Sequence, residues 1–243
     1  MDTLPQPVGA IDRLVSCYLS GETMRSRSVS DVVLSAQVDV PALPARLVAD
    51  WNREIVHHLG LEPGDVEALP LPRARTRWPD YRHCVQAVTE WTRNMGLGDV
   101  LATSDVALMA CRGARYHHDG GQYGGAAFCN LFLCDTPDLD LHFPAMGLRI
   151  PLTRGTVVIF DTGQPHAVIE RGSSGFNAAD FPAGRDCTQV FLTWELPIEN
   201  ADISHALKIA FDTGPATALQ VQEERLWLNG SPAQVCAATG RWC

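Results

Sequence analysis

Lysine is almost missing from this chain of 243 residues: Lys208 is the only one among 19 basic residues. Any side-chain clamp for an anion is therefore expected to be an arginine. Positive charge is scarce overall, with 28 acidic residues against those 19 and a net charge of −9. That balance argues against a nucleic-acid backbone as the main partner, because phosphate recognition needs a basic surface. No apolar run reaches the roughly 18 residues of a membrane-crossing helix, and the opening MDTLPQPVGAIDR does not read as a secretory leader. No membrane partner and a cytoplasmic location are the expectation. The eight cysteines include no C-x-x-C pair and are irregularly spaced. Zinc and a disulfide framework are thus unsupported, and the cysteines are expected to be small, reduced, buried hydrophobes. Charged residues are also few, 19% against 46% hydrophobic, which excludes general disorder. There is no internal repeat. The length suits one large domain or one domain with appendages.

What is present changes texture along the chain. Residues 31–40 have strand character. The run PALPARLVADWNREIVHHLG reads as a helix, with Leu47, Val48, Trp51, Ile55, Val56 and Leu59 at spacings of three and four. A second helix is expected over 80–95. From about residue 104, eight strand-sized apolar segments recur between glycines, prolines and aspartates. They are 105–112, 113–119, 126–135, 139–144, 147–152, 156–161, 165–170 and 187–196. Short strands in that number indicate a jelly roll. The expected fold is mainly β with flanking helices, a double-stranded β-helix (cupin-like) core with the N-terminal helices packed on one sheet. Residues 1–103 are read as a helical support region, 104–197 as the core and 198–243 as a C-terminal extension, integrated as one domain. The extension carries a helix candidate near ISHALKIAF and a hairpin turning at Asn229-Gly230.

The segment RYHHDGG carries the chemistry. Residues i and i+2 of a strand share a face, so His117 and Asp119 project together and His118 projects the other way. His166 begins the seventh segment, and in an eight-strand jelly roll the second and seventh strands are neighbours. Two imidazoles and a carboxylate on one face of a metal form the facial triad of non-heme iron oxygenases, with three positions left open. Asn130 lies mid-strand in an apolar run, where its amide must find partners. Tyr116 and Tyr123 flank the motif. His57, His58, His83 and His205 carry no assignment, and His142 is a candidate for the pocket.

His117-x-Asp119 with the distal His166, followed by LDLHFP and LRIPLTRGTVVIFDTGQPHAV, resembles the iron(II)/2-oxoglutarate-dependent dioxygenase superfamily, in its prolyl-hydroxylase-like branch. The resemblance covers about residues 104–197. It implies Fe(II) held by His117, Asp119 and His166, with 2-oxoglutarate and O2 as cosubstrates. It implies hydroxylation of an unactivated C–H bond in a small molecule such as an amino acid, peptide or natural-product intermediate, with decarboxylation of 2-oxoglutarate to succinate and CO2. Members that halogenate lack the carboxylate, so Asp119 favours hydroxylation or desaturation. The family also needs a basic anchor for the far carboxylate of 2-oxoglutarate. Arg185 is preferred, at the start of the eighth strand, with Arg171, Arg149 and Arg112 as alternatives. Asn130 and Tyr116 are further cosubstrate-binding candidates. Arg112, Arg115 and Arg149, if they line the pocket, would suit a substrate carboxylate. Two other readings stay open: a prolyl-type protein hydroxylase of the same family, and a cupin-like metalloenzyme that does not use 2-oxoglutarate.

Overall fold

A computed structural model describes residues 14–55, 59–71, 75–135, 138–182 and 184–243. His57 and His58 lie outside the described residues. The described chain opens on a hairpin, β1 (Leu14–Ser20) and β2 (Thr23–Ser28), paired antiparallel through a turn at Gly21, whose φ of 62° suits a residue without a Cβ. Next come β3 (Val33–Gln37), α1 (Ala45–Glu54), β4 (Val66–Leu69) and α2 (Tyr81–Asn94). α1 buries Leu47 and Trp51, and α2 buries Cys84, Val88 and Thr92, so each helix turns one stripe inward.

Eight strands follow: β5 (Val106–Arg112), β6 (Ala114–His117), β7 (Ala126–Phe132), β8 (Leu139–Phe143), β9 (Leu148–Pro151), β10 (Thr156–Asp161), β11 (His166–Glu170) and β12 (Thr188–Pro197). They divide between two sheets, one ordered β3-β10-β7-β12-β5-β4 and the other β6-β11-β8-β9, all antiparallel. Successive strands cross from one sheet to the other, except that β8 and β9 form a hairpin. This is the double-stranded β-helix expected from the sequence.

Alternation along the strands separates two cores. Val190, Leu192 and Trp194 of β12, like Val157 and Ile159 of β10, face the layer that holds Leu47, Trp51 and Val88. Val158, Phe160 and Phe191 face inward between the two sheets, against Leu141, Phe143 and Val168 of the smaller one. The large sheet is thus covered on both sides, which is why β10 reads as an unbroken apolar run.

The tail adds α3 (Ala201–Ala206), α4 (Pro215–Ala218), β13 (Arg225–Leu228) and β14 (Ser231–Pro232). The hairpin turn falls at Asn229-Gly230, both at positive φ, as the sequence indicated. β13 pairs with β1, giving a third sheet ordered β14-β13-β1-β2. The region before residue 104 therefore supplies strands as well as helices. Its strands gain their partners from residues far along the chain, which local pattern does not reveal. All eight cysteines are unpaired; five are buried, Cys134 and Cys236 are partly so, and Cys243 is exposed. No helix among the described residues is long and apolar enough to cross a membrane.

Candidate metal centre

β6 ends on His117 and β11 begins on His166, and the two residues are direct partners across the ladder, with ring centroids 4.4 Å apart. A bulge follows at once: two residues of β11 span three of β6, which re-aims the strand end beside the site. Asp119 lies just beyond β6. Its backbone N–H donates to the Thr162 carbonyl at 2.8 Å, and its own carbonyl accepts from the N–H groups of Gln122 and Tyr123. The anchored turn, together with strand alternation, carries its carboxylate back to the imidazoles. His166 Nε2 lies 3.5 Å from Asp119 Oδ2, and His117 Nε2 lies 3.8 Å from Asp119 Oδ1. One ligand atom from each of the three residues falls within 4.8 Å of the others.

Each imidazole is oriented from behind. His117 Nδ1 meets the Arg115 carbonyl at 2.7 Å, and His166 Nδ1 meets the Gln164 carbonyl at 3.0 Å. A carbonyl only accepts, so both Nδ1 atoms carry the proton and both Nε2 lone pairs face the carboxylate. Burial pushes the His166 pKa down to about 3, with the neighbouring His117 adding to the effect. Burial likewise raises the Asp119 pKa, against the lowering effects of His117 and His118. A neutral imidazole is the form a metal requires. Side-chain exposure falls from 37% at His117 through 23% at Asp119 to 9% at His166, so the site opens on the His117 side. Its inner wall is aromatic: Phe160 lies 4.7 Å and Phe143 6.1 Å from the His166 ring, centroid to centroid.

The segment from Asp161 to His166 is fixed by a buried ion pair that no local sequence signal marks. Arg27 of β2 and Asp161 at the end of β10, both with fully buried side chains, meet through two bonds of 2.6 and 2.9 Å. Asp161 also accepts from the N–H groups of Ser30 and Gly163, and Arg27 Nε donates to the Gly124 carbonyl at 2.7 Å. The Thr162 hydroxyl bonds to the carbonyls of Tyr123 and Ala126. The carbonyls that hold Asp119 and His166 thus sit on one braced loop. Arg27 and Asp161 are 134 residues apart in the chain, which is why sequence reasoning missed them.

No protein-family model matches the sequence, and no curated protein does. Solved structures similar to the chain include a viral collagen prolyl hydroxylase from Paramecium Bursaria Chlorella virus-1 in its 2OG complex, at 9% identity over 68% of this chain and 94% of that one, TM-score 0.39. AviO1 from Streptomyces viridochromogenes Tue57 is 15% identical over 69% of this chain and 90% of that one, TM-score 0.39. The alpha-ketoglutarate-dependent carbocyclase SnoK from nogalamycin biosynthesis is 10% identical over 85% of this chain and 90% of that one, TM-score 0.36. The fold is carried by the strand order and register above, and the site by the geometry of the three side chains.

The other sequence candidates separate. Asn130 lies on the inner face of β7, buried, with its Oδ1 unpartnered. Tyr116 points the opposite way from His117. It packs on the outer face of the smaller sheet with Ala167 and Ile169, under Val235 of the tail, and its hydroxyl meets His142 Nδ1 at 2.5 Å. A tyrosine next to a ligand on a strand is turned from it by alternation, and His142 goes to that outer face with it. Arg185 precedes β12, and its guanidinium pairs with Glu170 at 2.6 Å. Glu170 is the last residue of β11 and His166 the first, about 13 Å along the strand. The structure therefore does not bring Arg185 to the triad. Nor does it bring the other arginines: Arg171 bonds Asp140, Arg149 the Ser173 carbonyl, Arg112 the Phe181 carbonyl and Arg115 Asp65. Arg149 is the register partner of His142 and shares its outward face of the smaller sheet, so it does not line the barrel. His118 lies against Trp242 of the tail, rings 5.7 Å apart, and His83 pairs with Asp80 at the surface.

Proposed function

We propose that the protein is an Fe(II)- and 2-oxoglutarate-dependent dioxygenase in which His117, Asp119 and His166 hold the iron. The observation that carries this reading is the convergence of two Nε2 lone pairs and one carboxylate at a barrel mouth, with both Nδ1 atoms tied back to carbonyls. Two imidazoles and one carboxylate suit Fe(II) and leave positions open for a bidentate 2-oxo acid and O2. When bound, those groups supply the oxidative chemistry, converting 2-oxoglutarate to succinate and CO2 while a C–H bond is oxidised. The chain supplies position and exclusion of water. The Arg115 and Gln164 carbonyls keep both imidazoles in the ligating tautomer, and Phe160 and Phe143 exclude water from the inner side. Asn130 is buried and faces the barrel interior, and its side-chain N–H groups are the donors that suit a cosubstrate carboxylate. The substrate reading is a small molecule, an amino acid, peptide or natural-product intermediate, with hydroxylation of an unactivated C–H bond as the reaction.

The test is an anaerobic titration of Fe(II) and then 2-oxoglutarate, watched for the visible charge-transfer band of the chelate. A band is expected, followed by succinate release on admission of air and substrate. Iron binding with no band would transfer the site to the cupin-like reading without 2-oxoglutarate. No iron binding would remove the metal assignment altogether.

A further inference from the structure

At the mouth of the barrel, one row of inward-facing side chains ends on a carboxylate that nothing holds. Phe160 of β10, Phe128 of β7 and Glu195 of β12 are register partners across the large sheet. Alternation turns all three towards the barrel interior, since their neighbours Ile159, Cys129 and Trp194 pack into the helical layer. At one end of the row the Phe160 ring lies 4.7 Å from the His166 ring. Glu195 stands two strand spacings away, about 10 Å. Between them the Phe128 ring packs 6.1 Å from Phe160 and 5.1 Å from Tyr123 of the glycine-rich loop. Phe128 and Glu195 face inward yet are both partly exposed, as is Tyr123, so solvent reaches this wall. Glu195 donates its backbone N–H to the Asp105 carbonyl at 3.0 Å, just before β5. Burial, and after it the charge of Asp105, push the Glu195 pKa up, and no donor or cation among the described residues pulls it down. One step further in on the same faces, Asn130 Oδ1 and Thr193 Oγ1 are also unpartnered, in residues only 7% exposed. A carboxylate and an amide oxygen can only accept, so the group that completes this wall is rich in donors.

We infer that Glu195 is a specificity-determining residue that receives a protonated amine of the substrate, so that the substrate is a cationic small molecule oxidised at a carbon remote from its charge. The inference rests on the dioxygenase reading, which puts the reacting carbon at the triad. An ammonium group brings three donors and a full charge to a carboxylate that has no other partner. The faces of Tyr123 and Phe128 attract a cation as well, through their ring quadrupoles. The apolar part of such a molecule would lie along Phe128 and Phe160 towards His166. A hydroxyl in the same place brings one donor and no charge, and a carboxylate is repelled by Glu195 and Asp105. The net charge of −9 favours the approach of a cation over that of an anion.

The experiment uses three probes of one chain length, hexylamine, hexan-1-ol and hexanoate, each titrated calorimetrically into the metal-free protein at neutral pH. Hexylamine is expected to bind about tenfold more tightly than hexan-1-ol, the scale of a hydrogen bond to a charged group, with hexanoate weakest. Glu195→Gln, nearly isosteric, is expected to erase that preference, and Glu195→Lys to turn it towards hexanoate. Equal binding of the three probes, no binding of hexylamine, or an amine preference that survives in Glu195→Gln would each overturn the inference. The dioxygenase reading is tested separately, by the charge-transfer band of the wild-type protein with Fe(II) and 2-oxoglutarate. A band without an amine preference would overturn this inference and spare that reading. An amine preference that depends on Glu195, without a band, would keep Glu195 as a cation site and remove the reaction assigned beside it.

Discussion

His166 occupies the driest position of the triad, and its environment decides which form it takes. With a folded pKa near 3 against an ordinary 6.5, it is neutral in the folded chain while the unfolded chain takes up a proton below about pH 6.5. Stability from this residue is therefore full above pH 6.5 and falls as pH drops towards 3, by up to about 1.4 kcal/mol per unit. Asp119 acts in the opposite sense, because a raised carboxyl pKa favours the folded state in acid. Urea denaturation of the metal-free protein between pH 5 and 7 separates the two. The curve of His166→Asn should lie flatter on its acid side than that of wild type, and an unchanged slope would mean that the imidazole is not held neutral. At neutral pH, His166→Ala should abolish Fe(II) binding while the barrel keeps its far-ultraviolet circular dichroism. The triad was legible in the sequence because a short motif and a distal histidine fell on adjacent strands. Tyr116 was misplaced for a simple reason: spacing gives proximity along the chain, while facing is settled by alternation.

At the scale of elements, the eight core strands were readable because each is apolar, short and bounded by glycine, proline or aspartate. The hairpin β1–β2 was not, since MRSRS is polar and its outer partner β13 lies some two hundred residues later. That hairpin nonetheless fixes the loop behind the metal centre through Arg27 and Asp161. Breaking a fully buried pair on one side leaves an uncompensated charge, which costs about 3–5 kcal/mol, while replacing both partners with apolar residues is far milder. Arg27→Met alone should therefore unfold at much lower urea than the double variant Arg27→Met/Asp161→Leu. Additive losses in the two single variants, with no recovery in the double, would show that the pair is not coupled. In the double variant the Asp161–His166 loop loses its tie to β2, and Fe(II) affinity is expected to fall even where stability recovers.

For the whole molecule, the first described hairpin and the tail meet beside the loop that follows Asp119. Glu224, just before β13, accepts from the Leu19 N–H at 2.9 Å and, through its other oxygen, from the Gly124 N–H at 2.9 Å. One carboxylate thus ties the tail to the hairpin and to the glycine-rich loop that follows Asp119. That loop holds Gly120, Gly121, Gly124 and Gly125, so its backbone has a great deal of conformational entropy to regain when released. Its other ties include the Arg27 bond to the Gly124 carbonyl, the Thr162 bonds to Tyr123 and Ala126, and the Ile198 N–H bond to the Gly125 carbonyl at 3.1 Å. Glu224→Ala removes two charge-assisted bonds, a loss of about 1–3 kcal/mol, and most of it should appear as local opening, because both bonds end on the hairpin and the loop and neither on a core strand. Amide exchange at Leu19 and Gly124 is expected to speed up, with new protease cleavage within residues 120–125, while β7 and β10 keep their protection. Faster exchange across β7 and β10 as well would mean that the tail holds the barrel together globally. Unchanged exchange at Gly124 would mean that the barrel's own bonds suffice, and that the tail merely rests on a loop already closed.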